Sequence, residues 1–514
     1  MGSPSPRHTP TSDGHTGPTG TTGVPATPAA SPAGATGAAG QSVGPLGGLG
    51  STGARIPSGR AVELLLLAFA ALLTTGALIL VEANQEQELT STLLYLGAAY
   101  LGLLTVAHLV VRKLAPYADP LILPCAALLN GLGLVMIHRV DLARADKAAQ
   151  VGQAAPELFA GRQVAWTAIA LLLFAAVLWF VKDHRALARY GYTMGLAGLA
   201  LLALPGLLPA SVSEVNGAKI WLRLSIFSIQ PGEFSKVLLM IFFSALLVSK
   251  RELFTTAGRH FLGMELPRMR DLAPLLVAWA LSVGLLVLEK DLGSSLLYFG
   301  VLLVLLYAAT ERVSWLVIGL LFFMAGAVAA YQMFGHVRER VAIWLDPLDN
   351  FNGSGYQIGQ ALFGLGTGGV GGTGLGAGRP DLVPFAWSDF MVSSIGEELG
   401  LIGLAAVLMV YLVLVTRGLR SALAVRDTFG KLLATGLAFS LALQVFVVMG
   451  GVTRLIPLTG LTIPFLSAGG SSLVANYVIV ALLLRISNAA RTPAGRRPAA
   501  QVPLADARTE MVEK

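Results

Sequence analysis

A single aspartate, Asp389, stands where a long polar stretch runs into an apolar one, in the order Ser388-Asp389-Phe390 and then MVSSIGEELG. A carboxylate held at the edge of an apolar segment is partly stripped of water, and a desolvated acid is suited to taking a proton from a hydroxyl. The same position also suits plain helix capping, because an acid satisfies the free N–H groups at a helix start. Glu397 and Glu398 lie about two turns deeper, where acids are costly unless hydrogen-bonded. They read as a pair that fixes helix packing. Upstream, Arg338 and Arg340 open the polar stretch. Guanidinium forks match phosphate oxygens, though interfacial anchoring would use them equally well.

Further polar groups sit at the ends of other apolar runs. The segment Asn216 to Lys236 reads NGAKIWLRLSIFSIQPGEFSK. Pro231 and Glu233 there mark a helix start, and Glu233 and Lys236 are spaced to pair. Lys219 and Arg223 could meet an anionic head group or only snorkel. Asp291, in EKDLGSS, could cap the run that follows.

The elements that position these groups are membrane spans. The chain has 514 residues, 54% of them hydrophobic and only 13% charged, with a mean hydropathy of +0.70. That charge content is about half the soluble norm. The apolar runs are about twenty residues long, which predicts an all-α, polytopic membrane protein rather than a barrel. About twelve spans are expected, the first over 62–82 and the last over 471–487. The net charge of +7 follows from basic cytoplasmic loops and calls for no nucleic acid. Cys125 is the sole cysteine and the seven histidines are scattered, so neither a disulfide within the chain nor a metal cluster is expected.

Residues 1–58 are Gly, Pro, Ser, Thr and Ala with almost no large apolar side chains, a composition that predicts a disordered tail. Two spans occupy 59–115, a larger membrane core 116–490, and a short tail 491–514. Lys and Arg concentrate in alternate loops, among them Arg112, Lys113, Lys182, Arg185, Arg189, Arg417, Arg420 and Arg426. The bias predicts that both termini are cytoplasmic and that the stretch 336–388, before the tenth span, faces outward. At about fifty residues that stretch is far longer than an ordinary connection, which marks it as functional or disordered. Its aromatic and charged content favours function.

Taken in order, GAKIWLR with QPGEFSK, EKDLGSS, GSGYQIGQ with its glycine run, SDF with GEELG, and IPLTGLTIPFLSAGGSSL resemble the SEDS family of RodA/FtsW type. The GGVTRLIPLTG wording is most like its actinobacterial RodA-like members. The resemblance implies a ten-span core beginning near ADPLILPCAALLNGLGLVMIHR, preceded here by two additional spans. It further implies a peptidoglycan glycosyltransferase of the cytoplasmic membrane. Such an enzyme polymerises lipid II into glycan strands on the outer side, beside a class B penicillin-binding protein, for cell elongation or division. The family's catalytic aspartate falls on Asp389. Lys219, Arg223, Glu233, Lys236, Arg338, Arg340, Gln360, Ser467 and Ser471 are the expected substrate contacts. No metal ligand is expected, although a divalent cation, Mg or Mn, could assist. The sequence departs from the family at Phe385 and Trp387, where Glu and His are usual, at Gly232 and at Lys290. A lipid II flippase and a non-enzymatic scaffold of the elongation or division machinery are the rival readings.

Overall fold

In the computed structural model, residues 59–85, 91–154, 156–215, 218–223, 228–250, 258–261, 264–267 and 269–493 are described. The expected tail over 1–58 and residues 494–514 of the expected C-terminal tail lie outside this set.

Each expected span is a helix. In chain order these are α1 (Arg60–Asn84), α2 (Ser91–Leu114), α3 (Ile122–Gln150), α4 (Phe159–Phe180), α5 (Gly191–Leu207), α6 (Pro231–Ser249), α7 (Met269–Leu288), α8 (Leu292–Thr310) and α9 (Ser314–Met333). The polar stretch adds α10 (Gly335–Leu345) and α11 (Tyr356–Gly368), and α12 (Met391–Ala424), α13 (Thr428–Val452) and α14 (Gly470–Arg491) complete the set. Ten of these are long and apolar enough to cross a bilayer; α5 and the apolar part of α7 are shorter. Among the described residues the strands form two-residue and four-residue antiparallel hairpins between spans, such as Glu214–Val215 with Ala218–Lys219.

The helices differ in how much protein surrounds them. In α3, α6 and α14 most residues of the span are buried inside the protein, whereas in α9 only Trp315 and Gly319 are. An apolar helix whose surface is left uncovered faces lipid, where its side chains cost nothing. The central helices carry small residues where backbones meet, and Phe174, Phe465 and Tyr477 fill the core between them.

The polar stretch is ordered around the start of α12. That helix breaks at Gly400, whose φ of 67° and ψ of −168° are open to glycine. The break frees backbone groups that the glycine run then satisfies. Leu401 N donates to Gly369 O at 3.0 Å and Ile402 N to Val370 O at 3.2 Å. Thr373 N and Gly374 N donate to the carbonyls of Glu397 and Glu398 at 2.9 and 3.0 Å. Broken helix at membrane depth is tolerated where protein re-satisfies it, as here.

Candidate active site at the entrance of α12

Asp389 lies two residues before α12, half-buried, and it caps nothing: the helix begins after Phe390 with no side-chain cap. The capping alternative is therefore set aside. Burial pushes its carboxyl up from the usual range to about 6, against the opposing pull of a Ser388 hydrogen bond and the Arg340 charge. Three connections hold this corner. Ser467 Oγ donates to Ser388 O at 2.6 Å, Ala468 N to Trp387 O at 2.7 Å, and Ser388 N to Phe385 O at 2.9 Å.

Arg340, on α10, reaches the same place. Its Nη1 donates to the carbonyls of Leu458 and Thr459 at 3.1 and 3.0 Å. A methyl placed on Gly460 would stand 3.9 Å from both Arg340 Nη2 and Asp389 Oδ2. The guanidinium and the carboxylate thus flank one small patch of bare backbone. Burial lowers the Arg340 pKa, while the charges of Asp291 and then Asp389 oppose that shift. Asp291 caps α8 as expected, accepting from Ser294 N at 2.9 Å and Ser294 Oγ at 2.6 Å. Its carboxyl is raised by burial, which outweighs the Ser294 hydrogen bonds and the Arg340 charge.

The other expected contacts divide into two groups. Lys236 Nζ donates to Glu233 Oε2 at 2.8 Å and to Gln444 Oε1 at 3.0 Å, and Gln444 Nε2 donates to Thr462 O at 2.9 Å. This buried chain ties α6, through Gln444 of α13, to the irregular segment before α14. Ser467 and Ser471 are likewise committed to backbone: Ser467 as above, and Ser471 Oγ by accepting from Gln230 N at 2.9 Å. Their hydroxyls shape the walls. Lys219 and Arg223 sit on hairpin strands, Arg338 is exposed on α10 and Gln360 is half-buried on α11. No hydrogen bond or ion pair among the described residues joins these four to Asp389 or Arg340.

Arg139 and Arg144 also contribute here, and neither was singled out from the sequence. Arg139, inside α3, pairs with Glu398 Oε1 at 2.8 Å and donates to Gly378 O at 2.6 Å. Glu397 Oε1 accepts from Arg379 N at 2.8 Å, so both glutamates secure packing as expected. Trp387 stacks on Phe159 at 5.0 Å between ring centroids, and the Arg144 guanidinium lies 4.6 Å from the Trp387 ring. That cation–π group is built on Trp387, at the position where the family pattern carries His. The signal for Arg139 was a charged residue closing an apolar span, which needs a buried partner. Its partner lies 259 residues away, beyond any local pattern.

Fold and site together define a polytopic membrane protein with an acid and a guanidinium converging at the mouth of one helix. The model of the FtsW, RodA and SpoVE family of cell cycle proteins matches residues 119–492, and the chain belongs to that family. It is 58% identical over 459 residues to "Peptidoglycan glycosyltransferase RodA" of Mycobacterium tuberculosis, covering 89% of this chain and 97% of that one. It is 33% identical over 372 residues to "Probable peptidoglycan glycosyltransferase FtsW" of Geobacter metallireducens, covering 72% and 94%. A solved structure titled "Structural coordination of polymerization and crosslinking by a peptidoglycan synthase complex" aligns with a TM-score of 0.53 at 30% identity, covering 68% of this chain and 96% of that one.

Proposed function

We propose that Asp389 is the general base of a lipid II polymerase. The chain is a peptidoglycan glycosyltransferase. The observation that carries the mechanism is the convergence of Asp389 and Arg340 on Gly460, with Asp389 titrating at about 6. A base of that strength is ionised at neutral pH and still basic enough to take a proton in the transition state. Asp389 removes the proton of the acceptor sugar's 4-hydroxyl as the oxygen attacks the donor's anomeric carbon. The bond from that carbon to the diphosphate breaks, and undecaprenyl diphosphate leaves with the electron pair. Arg340 is placed to meet the negative charge that develops on the leaving group, the role such clamps play elsewhere. Arg338 and Lys219 are further candidates to stabilise the same leaving diphosphate.

Among the described residues no three His, Cys, Asp or Glu side chains converge as a metal-binding group. We therefore assign Mg or Mn no protein cage and route no step through it. Such an ion would be carried on the substrate diphosphate, as Mg commonly is. A class B penicillin-binding protein is the proposed partner. The peptidoglycan synthase complex to which the fold aligns supports that reading.

The pH dependence tests the base. Lipid II polymerisation by the purified chain with its transpeptidase should rise with pH and reach half its plateau at about 6, because only the ionised carboxylate accepts a proton. A rate that is flat through that range contradicts the assignment.

The active site is placed on the outer face, with both termini cytoplasmic, on the Lys and Arg bias. Ala377 and Ala186 are both exposed and lie on opposite sides in this arrangement. In a Cys125→Ser background, Ala377→Cys should react with an impermeant thiol reagent applied to intact spheroplasts and Ala186→Cys should not. The reverse pattern puts the site in the cytoplasm and ends the polymerase reading.

A further inference from the structure

Helices α1 and α2 precede residue 119 and so lie outside the family match. They are joined to the site. At the end of α1, Asn84 Nδ2 donates to Leu375 O and Gln85 Nε2 donates to Gly376 O. The approach is close: a methyl on Gly376 would stand 2.9 Å from Asn84 Cβ and 3.1 Å from Val81 O. Leu375 packs against the small apolar cluster of Leu78, Val81, Leu93 and Val135, contributed by α1, α2 and α3. Beside it, Glu82 meets His138 at 2.8 Å, and the next residue, Arg139, holds Gly378 O and Glu398. Gly376 N completes the circuit by donating to Glu398 Oε2 at 3.0 Å.

The segment 373–378 is therefore gripped from two sides, by α1 and by the first turns of α12. A glycine-rich backbone loses more conformational freedom on ordering than any other. Its own amides and the Thr373 hydroxyl bond it to α12, and on its other side it is held by donors supplied from outside. Asn84 and Gln85 are such donors, and Asp389 stands two residues before the helix that the segment braces.

We propose that the C-terminal end of α1 is a positioning element for the polymerase. Asn84 and Gln85 hold residues 373–378 in register on α12, and so keep Asp389 opposite Arg340. Neither residue touches the reacting atoms. The proposal rests on the polymerase reading only for its rate measurements.

The test is the double variant Asn84→Asp/Gln85→Glu, which keeps size and removes both donors at positions that are exposed and half-buried. Amide hydrogen exchange of the full chain should become about thirtyfold faster across residues 369–379, the factor expected for two lost hydrogen bonds. The thermal midpoint should stay near wild type. The kcat for lipid II polymerisation should fall about tenfold or more with KM unchanged, since misplacing a catalytic group spares binding. Gln85→Lys retains a donor and should behave as wild type in both measurements. Unchanged exchange overturns the proposal, and so does faster exchange with unchanged kcat. If the wild type makes no polymer, the polymerase reading fails, and the exchange result still decides whether α1 holds the segment.

Discussion

Replacing Asp389 by Asn should lower glycan polymerisation by about a hundredfold or more, the contribution of a positioned general base. The variant keeps the size and polarity of the side chain but cannot take a proton. Its fold should survive, because Asp389 caps no helix and no ion pair is lost. Expression, thermal midpoint and binding of the transpeptidase should stay near wild type. Asp349→Asn and Asp381→Asn, in the same polar stretch, serve as controls. Asp381 is engaged by Arg379 at 3.0 Å, away from the Gly460 patch, and Asp349 is exposed. Both should retain most of the rate. Near-normal polymer from Asp389→Asn would remove Asp389 from the chemistry.

The largest expected effect on stability comes from Arg139 and Glu398. Their side chains are 3% and 0% exposed and meet at 2.8 Å. Truncating one partner leaves the other charge buried and alone, which costs about 3–5 kcal/mol. Arg139→Ala or Glu398→Ala should therefore lower the unfolding free energy, measured by denaturant titration in mixed micelles, by about that amount. Arg139→Met with Glu398→Met removes both charges and should recover much of the loss. A single variant that unfolds like the wild type would mean that the pair does not hold the glycine segment to α3.

The contrast between these two sites shows what could be read before the structure. The spans were legible because a bilayer demands about twenty apolar residues in a row, and each expected span has its helix. Asp389 stood out in the sequence because an acid at the mouth of a span is unusual, and the fold sets it across Gly460 from Arg340. The two helices inside the polar stretch were not. The amphipathic run at Arg338 and Arg340 is short, and α11 is rich in glycine, which disfavours helix locally. Packing against α12 overrides that preference. The backbone role of Ser467 and Ser471 was not legible either. Their motif marked them, but only the fold shows that their hydroxyls are spent on the backbone at Ser388 and Gln230. Arg139 with Glu398, and Asn84 with Leu375, join residues hundreds of positions apart. No periodicity carries that information.

A polymerase and a flippase make opposite demands on one experiment. The purified chain and its class B transpeptidase are reconstituted into liposomes with lipid II, and both products are followed: glycan polymer on a gel, and lipid II appearing on the opposite leaflet. The expected result is polymer from the wild type, about a hundredfold less from Asp389→Asn, and no translocation that depends on Asp389. Lipid II crossing the bilayer without polymer, with Asp389→Asn as competent as the wild type, would contradict it.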